Sequence, residues 1–108
     1  MPFTDDPWDG PEAEASMSPE EFCTCCLIDT NPSGQDKIKA NCKLPVRKTP
    51  GAPYNKNALR NAAARIFQLT GVGAEDKRKA AAHLVRLMAE AGIDAGESVL
   101  RMAGKRGK

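Results

Sequence analysis

Apolar and polar positions change rhythm along this chain. From residue 37 to residue 46 they alternate. Ile38, Ala40, Cys42, Leu44 and Val46 fall on one side, and Lys37, Lys39, Asn41 and Lys43 on the other. A period of two predicts a half-buried strand. CLID (Cys26 to Asp29) supplies a short apolar partner, and the turn-rich TNPSGQD between them predicts a hairpin. Pro45 ends the strand or marks an edge, and the three lysines discourage further pairing. After the loop RKTPGAPY the period becomes helical. Leu59, Ala62, Ala63, Ile66 and Phe67 share one face, with Asn55 or Asn57 as cap and Gly71 as stop. A longer helix runs from about Ala74 to Ala91, with Ala81, Leu84, Val85 and Met88 as its stripe. Gly92 and Ile93 suit a Schellman closure onto Met88. Asp94 and Glu97 suggest a capping box for a last short helix through Val99, Leu100 and Met102.

Upstream of the hairpin, SPEE announces a short helix. Ser18 is the N-cap, Pro19 the first helical residue and Glu21 the third, with Met17 and Phe22 at the staple positions. The expected fold is therefore α+β: a short N-terminal helix, one β-hairpin, two main helices and a short C-terminal helix. The expected core is Leu27, Ile38, Leu44, Leu59, Ile66, Phe67, Leu84, Val85 and Met88. Residues 17–104 form this one small domain, with a disordered acidic tail at 1–16 and a basic tail at 105–108. Four prolines or glycines and five acids in the first segment leave little apolar area to offset ordering.

Length fits one domain, at 108 residues. No apolar run approaches the ~20 residues that span a bilayer, so no membrane association is expected. The acidic, proline-broken start does not read as a secretory signal. The net charge of +2 hides a polarity: residues 1–36 carry nine acids and no Lys or Arg, while residues 37–108 carry all sixteen bases and five acids. An acidic arm on a basic body can meet charged partners or neutralise itself. Phe3 and Trp8 are the large rings of that arm. They are candidate protein-binding anchors, or they dock on the chain's own core, which the residues favour slightly.

Cysteine carries the sharpest chemical signal. Cys23, Cys25 and Cys26 stand together as CTCC, and Cys42 and the lone His83 follow. The C-x-x-C spacing of Cys23 and Cys26, completed by Cys42 and His83, is the candidate zinc set; no other cofactor is indicated. Four reduced thiols rank ahead of zinc, and a Cys26–Cys42 disulfide across the hairpin ranks behind it. No phosphate loop, nucleophile elbow or acid–base pair is present, so no enzyme and no small-molecule substrate are expected. A cationic set of Lys77, Arg78, Lys79, Arg101, Lys105 and Arg106 offers phosphate contacts and keeps a DNA-associated role as the alternative.

Three pieces carry a family resemblance: CKLPVR (Cys42 to Arg47), the N-x-N-A-L start (Asn55 to Leu59), and K-R-x-A-A-x-x-L-x-R-L (Lys77 to Leu87). Together, across about residues 22–104, they resemble a small module of tailed-bacteriophage structural proteins. It accompanies head-maturation proteases in phages and prophages of actinobacteria. The resemblance implies a virion or assembly role without proteolysis. The chain would be a decoration or minor capsid protein that binds the major capsid protein or other head proteins. It would be assembled in the host cytoplasm and carried in the virion.

Overall fold

The computed structural model describes residues 3–104 and shows a mixed α+β chain. Its order is β1 (Phe3–Thr4), α1 (Gly10–Ser16), α2 (Pro19–Thr24), β2 (Cys26–Asp29), β3 (Cys42–Pro45), β4 (Tyr54–Asn55), α3 (Lys56–Arg65), α4 (Ala74–Glu90) and α5 (Glu97–Met102). Strands β2 and β3 form the expected antiparallel hairpin, with Cys26 opposite Pro45, Ile28 opposite Lys43 and Asp29 opposite Cys42. A second, two-residue ladder is parallel: β1 lies beside β4, with Phe3 opposite Tyr54.

Within the expected disordered tail, the described residues 3–16 are instead ordered. Asp9 accepts a hydrogen bond from the Glu12 N–H and caps α1, and Pro11 stands in its first turn. Ala13 and Met17 are buried. The segment is too poor in apolar area to fold alone, but it lies on a body that supplies the rest.

Three of the predicted helix ends are in place elsewhere. Ser18 and Glu21 form a reciprocal capping box, with Met17 and Phe22 both buried behind it. Asn55 caps α3, accepting from the Ala58 N–H at 2.9 Å. Helix α4 closes by a Schellman pair, with Ile93 N–H donating to the Met88 carbonyl and Gly92 at φ +75°. The expected Asp94–Glu97 capping box is absent. Instead Asp94 accepts from the Gly96 N–H, and Gly96 itself precedes α5.

One core joins Ile28, Leu44 and Val46 of the hairpin region to Leu59 and Ile66, to Leu84, Leu87 and Met88 of α4, and to Val99. A smaller cluster holds Ala13, Met17, Phe22, Cys23, Cys25 and Cys42. Two expected core residues lie outside: Ile38 is 57% exposed and Phe67 is 44% exposed. Ile38 leaves the strand because the Asn31 side chain draws its loop aside. Asn31 Oδ1 accepts from the Ile38 N–H at 2.9 Å and from Asn41 at 3.2 Å, and residues 39–41 turn as a 3₁₀ helix. The ladder then starts only at Cys42. Phe67 swings out because residues 66–68 tighten into a 3₁₀ turn, which breaks the 3.6-residue period. Leu44, buried in β3, takes φ +65°, a costly conformation for a bulky residue.

Candidate functional site

The acidic arm is bolted to the basic body. Asn55, 1% exposed, donates through Nδ2 to the Asp6 carbonyl at 3.1 Å. Asn57 donates to the Asp5 and Asp6 carbonyls at 3.1 and 2.9 Å. The Asp5 carboxylate faces Lys56 at 3.8 Å and Arg60 at 3.9 Å, and the Phe3 ring lies 6.1 Å from that of Tyr54. Phe3 and Trp8 are both half-buried against the chain's own core. They hold the arm in place, so the other alternative, free anchors on an extended tail, is not how the structure presents them.

Folding the arm back creates a groove. A half-open cavity of about 270 Å³ lies between α1, β3 and α3. Trp8, Phe22, Leu44 and Leu69 give it apolar walls, and Lys43, Arg65 and Glu14 are charged residues of its lining. Neither cation has a hydrogen-bonded or ion-paired partner among the described residues. Lys39, also lining it, is occupied: its Nζ donates to the Glu14 carbonyl at 2.6 Å. The exposed Ile38 adjoins the lining Lys39 in sequence, and the exposed Phe67 lies two residues from both Arg65 and Leu69. The groove can accept an apolar side chain whose neighbours are acidic.

The sulfur cluster sits at the loop end of the hairpin. Cys23 of α2 and Cys42 of β3 form a disulfide, with Cα atoms 5.4 Å apart. This corrects the expectation of four reduced thiols and that of a Cys26–Cys42 bridge. Cys26 lies opposite Pro45, at the other end of the ladder. Of the candidate zinc set, the structure brings Cys23 and Cys42 together, and the third potential ligand beside them is Asp29, with the three ligand atoms within 4.8 Å. Cys26 and His83 are not among them. Cys25 and Cys26 are free. Burial pushes both thiols up, and for Cys26 the neighbouring Cys25, Glu14 and Asp29 charges add to it, so both are held protonated. Asp29 accepts from Lys37 and from Asn31. Partial burial would raise its carboxyl, but these hydrogen bonds outweigh it and hold it below its ordinary range. His83, half-buried on α4, is pushed down first by burial and then by Arg86 and Arg47.

The cationic set is less available than its sequence suggests. Lys77 donates to the Leu69 carbonyl at 2.8 Å, Arg78 pairs with Glu75, and Arg101 pairs with Glu97 at 3.0 Å. Lys79 has no such partner among the described residues. Lys105, Arg106 and the basic tail at 105–108 lie outside the described residues. Comparison with known families, curated proteins and solved structures finds no match to this chain.

Sequence reasoning missed Asp29, Asn31, Lys43 and Arg65 as site residues. Lys43 was visible as a strand lysine, but nothing in the sequence places it beside Trp8. For Asp29, the hairpin register carried the signal: pairing CLID with CKLP sets its last residue against Cys42.

Proposed function

We propose that this chain is a non-enzymatic structural protein of a tailed-phage head, which docks on the capsid shell as a decoration or minor capsid protein. The resemblance across residues 22–104 supplies the context. The observation that carries the docking mode is the groove: apolar walls from Trp8, Phe22 and Leu69 beside two cations, Lys43 and Arg65, that no acid among the described residues pairs with. A shell-protein segment would place an apolar side chain between those walls and set its acidic neighbours against Lys43 and Arg65. Burying the side chain gives affinity, and the lining charges give orientation and a faster encounter. The acidic arm then acts as a wall of the site rather than as a free tether.

The alternative, a DNA-associated protein, has less support, because three of its four described cations are already satisfied within the chain.

Co-sedimentation with purified shells tests the docking mode. The lining charges contribute modestly, so reversing both, Lys43→Glu with Arg65→Glu, is expected to weaken binding about tenfold at low salt. Neither side chain is buried in the core, so the double variant keeps its fold. Undiminished binding by a folded double variant would remove the groove from the mechanism. Binding to DNA instead, with a steep loss as salt rises, would favour the alternative.

A further inference from the structure

We propose that Cys23, Asp29 and Cys42, once the disulfide is opened, form a binding site for one thiophilic divalent cation such as zinc. This inference is independent of the docking groove.

The backbone brings the three residues together whatever their side chains do. Asp29 and Cys42 are direct partners in the hairpin register, so their side chains leave the same face of the ladder. The Cys23 Cα, at the end of α2, is 5.4 Å from that of Cys42. All three ligand atoms already lie within 4.8 Å of one another. With metal–sulfur bonds of about 2.3 Å, tetrahedral coordination needs the two sulfurs roughly 3.8 Å apart. Side-chain rotation reaches that separation from this backbone.

Asn31 is the second observation. Its Nδ2 points at all three potential ligands: 3.2 Å from Cys42 Sγ, 3.5 Å from Cys23 Sγ and 2.8 Å from Asp29 Oδ1. Its Oδ1 is meanwhile fixed by Ile38 N–H and Asn41. A disulfide sulfur is a weak acceptor and gains little from such a donor. Thiolates bound to a cation gain more, and metal ligands are commonly oriented by an outer donor of this kind. Lys37, on the other Asp29 oxygen, completes the charge balance. A dication with two thiolates and one carboxylate has net charge −1, which the lysine offsets. Three protein ligands leave one position for water or for a donor from a partner.

The chemistry closes with a thiol reductant of the glutathione class. Two reductant thiols give up their hydrogens to Cys23 and Cys42 and leave as their own disulfide. The cation then displaces both cysteine protons into solvent. Oxidised protein therefore has no site, and reduced protein has one.

Cobalt(II) titration tests this on full-length protein that has been reduced and then freed of reductant under anaerobic conditions. The expected result is one equivalent bound, with thiolate-to-cobalt charge-transfer absorption that zinc displaces. Cys42→Ser should abolish the absorption, Asp29→Asn should weaken binding at least tenfold, and Cys26→Ser should leave it unchanged. Where the reduced protein loses helical circular dichroism, zinc must restore it. The proposal is overturned by absent charge-transfer absorption, by a failure of zinc to restore a lost fold, by equal binding to the oxidised protein, by unchanged binding in Asp29→Asn, or by dependence on Cys26.

Discussion

Replacing Asn55 with Ala tests how the acidic arm is joined to the body. The side chain has two tasks at 1% exposure: its oxygen caps α3 through the Ala58 N–H, and its amide donates to the Asp6 carbonyl. Losing an asparagine cap costs about 1 kcal/mol on average, and up to about 2 where the cap matters most. Ala58 is itself 1% exposed, so its N–H would be left without an acceptor away from water, which puts this cap at the upper end. The Asp6 carbonyl keeps a second donor, Asn57 at 2.9 Å, so its loss adds only about 0.5 kcal/mol. The sum is about 2.5 kcal/mol, to be read as a shift in the urea midpoint at unchanged slope. Asn55→Ser keeps a capping acceptor and loses the amide donor without burying a charge, so it should cost about 1 kcal/mol or less. Hydrogen exchange at residues 3–9 should rise in both variants, because both release the arm. A loss below 1 kcal/mol in Asn55→Ala, or equal losses in the two variants, would refute the assignment of cap and tether to this one side chain.

Three further outcomes are expected. The Cys23–Cys42 bridge closes a loop of separation 19, so reduction of metal-free protein should lower its unfolding free energy by about 3 kcal/mol; urea titrations with and without reductant measure this, and coincident curves would contradict the bridge. His83 has a folded pKa below its ordinary 6.5, so the native state binds its proton later than the unfolded state does. Its contribution is complete above about pH 6.5 and is lost as the pH falls through the folded value; His83→Gln should flatten the stability profile between pH 7 and 5, and an unchanged slope would count against the assignment. Gly92→Ala should cost about 1–2 kcal/mol from backbone strain alone, because φ is +75° and a Cβ there meets nothing within 4 Å. Thermal denaturation of that variant would show a lower midpoint with an intact far-ultraviolet spectrum.

What could be read from the sequence was local. The Ser18–Glu21 capping box, the Gly92–Ile93 closure and the pairing of CLID with CKLP in a hairpin each depend on residues within one or two elements, and each is present in the structure, although the register sets Cys42 against Asp29 and not Cys26. Apart from Phe67, which a local 3₁₀ turn moved, the failures share a cause: contacts from elsewhere in the chain intervened. Alternation from Ile38 to Val46 looked like one strand until Asn31, seven residues upstream of Ile38, took its N–H. The arm looked disordered because its partners, Asn55 and Asn57, lie about fifty residues away. Cys23 and Cys42 were visible ligands, but Asp29 joins Cys42 through the hairpin register, and Cys23 reaches them only where α2 packs beside the hairpin. The groove is legible in no single segment, since Trp8, Lys43 and Arg65 come from three parts of the chain.

Mass spectrometry of gradient-purified virions from the phage that, on the proposed reading, encodes this chain tests the proposed role most directly. The account predicts recovery of the chain in a fixed ratio to the major capsid protein, retained after a moderate-salt wash because an apolar side chain seated in the groove does not depend on salt. Complete absence from particles, or recovery only with the DNA fraction and loss as salt is raised, would contradict it.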